Sequence, residues 1–170
     1  MSTSSCCTVI KPPHCFKNAL STTKTSVFLA GSIEMGTAAD WQQQFTEAFQ
    51  SSSSPSSSLL ILNPRREAWD SSWEQSINNP QFRNQVEWEL DALENCDIIV
   101  MYLAPDTKSP ISLLELGLFA KSGKMICCCP DGFWRKGNVD VVCDKYGVEV
   151  VSDLEGLIQK VKQRLHVGDE

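Results

Sequence analysis

Short apolar runs alternate with amphipathic segments along most of the chain. Apolar runs bounded by polar residues or glycine predict buried strands, and apolar positions recurring every three to four residues predict helices that pack on a sheet. Strands are predicted at residues 25–31, 59–62, 98–103, 125–129 and 148–151. Helices are predicted at 38–50, 81–95, from 109–110 onward, at 138–146 and at 153–165.

The alternation of strands with helices predicts a parallel sheet covered on both faces. Five strands in a chain of 170 residues favour a flavodoxin-like doubly wound α/β fold, in a single domain that spans 25–170. Residues 1–24 are rich in Ser, Thr and Cys and contain no acid, so they are predicted to be a disordered tail. Ligands of such folds bind at the carboxyl edge of the sheet, where the strand order reverses.

The segment 97–124 organises this prediction, because it combines a buried strand, a polar loop and an apolar helix. Ser109 and Pro110 suit a helix start, since Ser can cap the free N–H groups and Pro is tolerated at the first position. Glu115 is a lone carboxylate in that helix, near the edge where ligands are expected. The positions expected to pack on the sheet are Ile111, Leu114, Leu118 and Phe119.

Charge and composition narrow the classes of partner. A net charge of −6 argues against a nucleic acid polymer, and no apolar run approaches the roughly 20 residues that span a bilayer. The eight cysteines do not form a disulfide framework, and they are expected to be buried in a reducing, cytoplasmic compartment. No metal site is expected, because there is no CxxC pair and His14 and His166 lie near opposite ends.

A long loop at 63–80 interrupts the regular pattern, and loops of this length are often functional. It carries aromatic rings and fixed donors, which suit a planar nucleobase. The alternative is that the tryptophans only clamp the loop to the body of the domain. The residues concerned are Arg65, Arg66, Trp69, Asp70 and Trp73.

Several nucleotide and acyl chemistries lack their motifs. The chain has no GxxxxGK[ST], no GxGxxG and no GxSxG. What remains is a group of carboxylates, which suit glycosyl transfer: one attacks the anomeric carbon and another protonates the leaving group, without a metal. The candidates are Glu87, Glu89, Asp91, Asp106 and Glu115.

Five blocks in order resemble the nucleoside 2-deoxyribosyltransferase-like family, which includes deoxynucleoside 5′-monophosphate N-glycosidases. The resemblance covers roughly 25–151. It implies cleavage or transfer of the N-glycosidic bond of a small nucleoside or nucleotide through a Glu nucleophile, without a cofactor and in a homo-oligomer. The blocks are FLAGSIE (28–34), NPRR with WD (63–66 and 69–70), QVEWE (85–89), SPISLLELG (109–117) and RKGNV (135–139).

By this resemblance Glu115 is the nucleophile, and Glu89 is the second carboxylate, which handles the nucleobase proton and is Asp in most members. Ser109 stands where transferases have an Asp near the 5′-hydroxyl and monophosphate glycosidases have a Ser near phosphate. Asn138 stands where a neighbouring subunit supplies an Asn. The other substrate-binding candidates are Phe28, Gly31, Ser32, Arg65, Trp69 and Asp70.

Phe28 departs from the family pattern, because the family has a tyrosine there whose hydroxyl orients the nucleophile. Either another donor supplies that hydroxyl, with Tyr102 as the candidate, or the activity is lowered or altered. One alternative function is therefore a catalytically silent nucleotide-binding or regulatory module. Another is a glycohydrolase that acts on NAD or a modified nucleotide.

Overall fold

A computed structural model describes residues 7–34, 38–50, 58–66 and 72–167. Its described strands form one six-stranded sheet in which every neighbouring pair is parallel. The strands are β1 (Cys7–Ile10), β2 (Thr25–Gly31), β3 (Leu59–Leu62), β4 (Ile98–Tyr102), β5 (Met125–Cys128) and β6 (Glu149–Val151). The helices are α1 (Lys17–Leu20), α2 (Trp41–Gln50), α3 (Pro80–Asn95), α4 (Pro110–Phe119), α5 (Lys136–Tyr146) and α6 (Leu154–Val167).

The strand order is β1-β3-β2-β4-β5-β6, and the five strands after β1 follow the flavodoxin-like order. The predicted fold class is therefore confirmed, but the sheet has six strands rather than five. The extra strand lies in the segment predicted to be a disordered tail. That prediction is wrong for residues 7–20, because β1 pairs with β3 along its whole length and α1 follows it. Such a short edge strand depends on its pairing with β3 more than on local composition.

Two helical layers cover the sheet, and residues of β2 alternate between them. Phe28 and Ala30 pack with α3, α4 and α5, which we call the α3–α5 layer. Val27 and Leu29 pack with α2 and α6, which we call the α2/α6 layer. This alternation follows from the two-residue period of a strand, and it assigns each side chain of the sheet to one layer.

Gly31 ends β2 at the point where the strand order reverses between β2 and β4. Its φ is +134°, and a Cβ there would collide with the carbonyl oxygen of Tyr102 on β4. The backbone N–H of Ser32 donates to that same carbonyl oxygen at 2.9 Å. Glycine therefore allows β2 and β4 to stay in close contact at the carboxyl edge, where doubly wound folds bind ligands.

Helix α4 presents a different side to the sheet than the spacing predicts. Ser112, Glu115 and Leu116 are buried, and Phe119 is partly buried against the core. The predicted inward residues Ile111, Leu114 and Leu118 are instead 61%, 60% and 58% exposed. The prediction is wrong because α4 is apolar on nearly all sides, so apolar spacing cannot select one face.

The remaining elements differ from the predictions mainly at their ends. Helix α5 begins at Lys136, two residues before Asn138, and α3 is capped by Asn79, whose side chain accepts hydrogen bonds from two backbone N–H groups. Asp153, the first residue of the helix predicted at 153–165, caps α6, because its carboxylate accepts a hydrogen bond from the N–H of Gly156 at 2.7 Å. Within the ranges given above, no helix has both the length and the apolar character to cross a membrane.

Candidate active site

Glu115 lies on α4, which starts at the carboxyl edge of the sheet. Glu115 is only 8% exposed, although its side chain is ionisable. Burial is the larger cause, and together with the negative charge of Glu89 it raises the pKa of Glu115 to about 8. A carboxyl with this pKa changes its protonation state near neutral pH, which is typical of a catalytic group.

Glu89 lies on α3, in the same helical layer as Glu115, and the two carboxyls are close enough to interact electrostatically. Burial raises the pKa of Glu89 to about 7, while a hydrogen bond from Gln85 and the charge of Arg66 act to lower it. The structure therefore brings the two predicted catalytic residues together. Each carries a proton at a pH where an ordinary Glu is ionised.

Gln85 connects Glu89 to the long loop that precedes α3. The buried Gln85 amide donates to the Glu89 Oε1 at 2.6 Å and to the carbonyl of Pro64 at 3.3 Å. Its Oε1 accepts a hydrogen bond from Arg66, whose guanidinium lies 4.9 Å from the centre of the Trp73 ring. Gln85 was not among the predicted site residues, although its position four residues before Glu89 puts both on one side of α3.

Three buried hydroxyls meet where β2 ends and α4 begins. Ser32 lies 2.8 Å from Thr107 and 2.6 Å from Ser109, and Thr107 lies 2.8 Å from Ser109, each distance joining hydroxyl oxygens. Ala104 N–H donates to the Ser32 hydroxyl at 2.8 Å. Ser32 and Ser109, predicted from separate blocks, thus share one cluster. Ser109 makes no side-chain cap of α4, contrary to the prediction, because its hydroxyl is engaged in this cluster.

The carboxylate of Glu34 lies against the same loop. One oxygen, Oε1, accepts hydrogen bonds from the backbone N–H groups of Lys108 and Ser109, each at 2.7 Å. Glu34 and Ser109 are the two non-glycine residues with positive φ in the described chain, at 46° and 45°. Sequence reasoning missed this contact, and the only available signal was the presence of Glu34 in the FLAGSIE block.

The loop arginine Arg65 points toward α2. Its guanidinium donates to the carbonyl of Ala38 at 3.1 Å and to Gln42 at 3.3 Å, and it lies 3.5 Å from the Asp40 carboxylate. These contacts connect the loop to the start of α2. That Arg65 contacts a substrate stays a prediction, and so does a substrate contact of Gly31. Trp69 and Asp70 lie outside the described residues, and Asn138 is exposed on α5.

Phe28 is fully buried in the α3–α5 layer, and its ring lies 6.4 Å from that of Trp88. Tyr102, the candidate to supply the missing hydroxyl, packs instead in the α2/α6 layer, 5.3 Å from the Trp41 ring. The expectation for Tyr102 is wrong because side chains alternate between the two faces of the sheet along each strand, and the side chain of Tyr102 lies on the face opposite to that of Phe28.

The other candidate carboxylates are surface groups. Glu87 forms an ion pair with Arg83 at 2.6 Å, and Asp91 forms one with Lys17 at 3.1 Å. The side chains of all four residues are about half exposed or more. Asp106 is exposed in the loop before α4. Among the described residues, no three His, Cys, Asp or Glu side chains are grouped as a metal site would need. The buried carboxyls at 89 and 115 are therefore the pair suited to proton and glycosyl transfer.

Comparison with known proteins supports this assignment of fold and family. A crystal structure of a conserved protein from Enterococcus faecalis V583 has a TM-score of 0.57 and 15% identity, covering 82% of this chain and 98% of that one, which shows a shared fold. No curated protein matches the sequence. A family model described as nucleoside 2-deoxyribosyltransferase like matches residues 24–133, well over half of the chain and including both buried carboxyls. The chain belongs to the nucleoside 2-deoxyribosyltransferase-like family.

Proposed function

We propose that this protein cleaves or transfers the N-glycosidic bond of a (deoxy)nucleoside or its 5′-monophosphate. Glu115 is the nucleophile, and Glu89 handles the proton of the nucleobase. The observation that carries the proposal is the burial of these two interacting carboxyls, both with pKa values raised to near neutrality. No cofactor takes part in the proposed steps.

In the first step a carboxylate oxygen of Glu115 attacks C1′ of the sugar. The bond from C1′ to the base nitrogen breaks, its electron pair leaves with the base, and the Glu89 carboxyl gives its proton to the base. In the second step water or an acceptor base attacks C1′ and releases the Glu115 carboxylate. Glu89 then takes a proton from the attacking group, which restores both residues.

Substitution of Glu115 tests the nucleophile. Purified wild type and Glu115→Ala are incubated with 2′-deoxynucleosides and with their 5′-monophosphates, with and without an acceptor base, and released base is measured by chromatography. We expect the variant to lose base release by about 10⁴-fold or more, because no other group replaces the nucleophile. Thermal unfolding checks that the variant is folded.

Glu87→Ala is the matched control, since it removes an exposed carboxylate of an ion pair on α3 and is expected to keep full activity. Full activity of Glu115→Ala would refute the assignment. Release of base only in the presence of an acceptor base would show that the reaction is transfer. Release of base in water alone would show that it is hydrolysis.

Phe28 supports a second candidate, a nucleotide-binding module without turnover. The residue is fully buried and supplies no hydroxyl to orient Glu115. Under this alternative, calorimetry detects tight binding of a nucleoside or nucleotide while chromatography detects no released base. Phe28→Tyr then distinguishes the two functions, because a restored hydroxyl is expected to increase turnover only if Glu115 and Glu89 catalyse the reaction.

We also propose that the protein works as a homo-oligomer. Ile111, Leu114 and Leu118 form an exposed apolar stripe on α4, which we call the α4 stripe. Exposed apolar patches of this kind commonly mark protein interfaces. Asn138 is exposed on α5, as a residue that serves a neighbouring subunit would be.

The cysteines support the proposed cytoplasmic location. Those at 96, 127, 128, 129 and 143 are buried free thiols. A reducing compartment keeps such thiols unpaired, whereas secreted proteins of this size often use cysteines as disulfides.

A further inference from the structure

We propose that residues 7–20, which we call the N-terminal segment, hold α3 through Trp88 and thereby position the Glu89 carboxyl for its proton transfer to the base. Trp88 is then a positioning residue, because it acts through Glu89. This inference rests on the proposed function, since it concerns the group that protonates the leaving base. The N-terminal segment precedes residues 24–133, which the family model matches.

The indole of Trp88 contacts the N-terminal segment in two ways. Its Nε1–H donates a hydrogen bond to the carbonyl oxygen of His14 at 2.9 Å. Its ring meets the ring of Phe16 edge to face, with 5.2 Å between the ring centroids and 89° between the planes, which is a favourable geometry for two aromatic rings. Phe16 is only 2% exposed and belongs to the core of the α3–α5 layer. The N-terminal segment therefore gives the indole both a fixed hydrogen-bond acceptor and a fixed packing partner.

A further contact joins the N-terminal segment to α3 beyond Glu89. The ammonium of Lys17 lies 3.1 Å from the carboxylate of Asp91. Trp88 and Asp91 are neighbours on the helix surface, because residues three apart lie on one side of a helix. An ion pair this exposed contributes little free energy by itself, so Trp88 is the stronger of the two contacts. Glu89 thus lies between two residues of α3 that the N-terminal segment contacts.

The N-terminal segment also reaches Glu89 through the loop that follows β3. At the end of β1, the carbonyl of Ile10 accepts a hydrogen bond from the N–H of Asn63 at 3.0 Å. The carbonyl of the next residue, Pro64, accepts one from the Gln85 amide at 3.3 Å. That amide also donates to the Glu89 carboxyl at 2.6 Å. Both routes, through the loop and through α3, end at the same carboxyl.

The orientation of α3 determines where the Glu89 carboxyl lies. Side chains extend about 5–6 Å from a helix axis, so a rotation of about 10° moves a carboxyl by about 1 Å. A displacement of that size can slow a reaction by about 10²-fold. A loosened α3 would also admit water to Glu89, whose pKa is raised to about 7 mainly by burial. The charged groups that interact with this carboxyl, Arg66 on the loop and Glu115 on α4, would remain.

Trp88→Phe removes the indole N–H and keeps an aromatic ring, so it tests the contact with His14. We expect kcat for base release to fall about tenfold while KM changes less than about twofold, because Trp88 does not contact the substrate in this proposal. The NMR signal of the Glu89 carboxyl carbon, assigned with Glu89→Gln, is followed against pH. It is expected to report a lower pKa than in wild type, because the carboxyl becomes hydrated. A role in fold stability alone would change neither quantity in the folded protein.

Trp134→Phe is the matched control. It removes the same kind of N–H group, which donates to the carbonyl of Lys108 at 3.0 Å, from an exposed ring between β5 and α5. This control is expected to leave the titration of Glu89 unchanged. The inference is overturned by an unchanged or raised pKa of Glu89 in folded Trp88→Phe, by an unchanged kcat, or by an equal shift of the pKa in Trp134→Phe.

Thermal unfolding checks that each variant is folded. If Trp88→Phe does not fold, Phe16→Leu serves, since it removes the ring that packs against Trp88 and is expected to lower the pKa of Glu89 in the same way. An unchanged pKa in folded Phe16→Leu overturns the inference. If no substrate releases base, the proposed function fails separately, and the titration decides whether the N-terminal segment positions Glu89. A lower pKa of Glu89 in Trp88→Phe then supports that positioning, and an unchanged pKa overturns it.

Discussion

Gln85 donates a hydrogen bond to Glu89 while its own carbonyl oxygen accepts one from Arg66, so a neutral amide joins two charged groups. The hydrogen bond to Glu89 stabilises the ionised carboxylate and lowers its pKa, against the larger effect of burial. Gln85 is thus a positioning residue in the proposed mechanism. It controls both the orientation of the Glu89 carboxyl and the pH at which it holds a proton.

Burial raises the pKa of Glu89 to about 7 and that of Glu115 to about 8, and the charge of Glu89 contributes to the second increase. The reaction needs Glu115 ionised and Glu89 protonated, so kcat/KM is expected to be bell-shaped with its maximum between these values. Gln85→Leu removes the bond that lowers the pKa of Glu89, and the bell is expected to move to higher pH as kcat falls about tenfold. The measurement is the pH dependence of base release.

Gln81→Leu is the matched control one turn earlier on α3, where the side chain is exposed. It is expected to leave the pH profile in place. A profile that Gln85→Leu does not move would show that the hydrogen bond contributes nothing to the titration of Glu89.

The sequence could identify the carboxyl pair but not the groups that control it. Glu115 and Glu89 stand in recognisable blocks, and the position of each residue within its own helix is a local property of the sequence. The contact between Glu34 and Ser109 joins residues 75 positions apart, and that between Arg66 and Gln85 joins residues 19 apart. Such contacts depend on strand order and loop path, which periodicity does not contain.

At the scale of the elements, periodicity located the five strands after β1 because each is a short, largely apolar run. The sheet buries most residues of the four central strands, β2, β3, β4 and β5. Periodicity failed for α4, where apolar residues on all sides leave the inward face undefined. It also missed β1, whose four residues become a strand only through pairing with β3. Tertiary contacts therefore determine which face of α4 is buried and whether β1 forms. These are the two elements whose local sequence pattern is least specific.

The α4 stripe provides a prediction about assembly. Leu114→Lys places a charge in the centre of an apolar surface, so it is expected to disrupt a contact between copies and lower the mass measured by light scattering after gel filtration. The unfolding temperature of each separated chain is expected to change little, because Leu114 is 60% exposed.

Ile77→Lys is the control for this experiment, since Ile77 is 73% exposed outside the α4 stripe. It is expected to keep the wild-type mass. A wild type that is monomeric at micromolar concentration, or a Leu114→Lys variant of unchanged mass, would contradict the assignment of the α4 stripe to a homo-oligomer.

At the scale of the whole molecule, the buried carboxyls make the stability of the fold depend on pH. Their folded-state pKa values of about 7 and about 8 lie above the ordinary value of 4.5, so folding favours the protonated forms. This contribution is fully present below pH 4.5 and is lost as pH rises through 7 and 8. Glu149 acts in the opposite direction, because hydrogen bonds from Lys160 and Arg164 outweigh burial and lower its pKa. The contribution of Glu149 to the free energy of unfolding is therefore lost as the pH falls through its lowered pKa.

The free energy of unfolding is therefore expected to fall by a few kcal/mol between pH 6 and pH 9, as measured by urea denaturation at a series of pH values. Glu115→Gln keeps the shape of the protonated carboxyl and cannot ionise, so its decline over this range is expected to be clearly smaller. Glu155→Gln, which changes an exposed carboxylate, is expected to follow wild type. If Glu115→Gln declines as steeply as wild type, the burial of the Glu115 carboxyl does not oppose its ionisation. Glu115 would then not be tuned for catalysis near neutral pH.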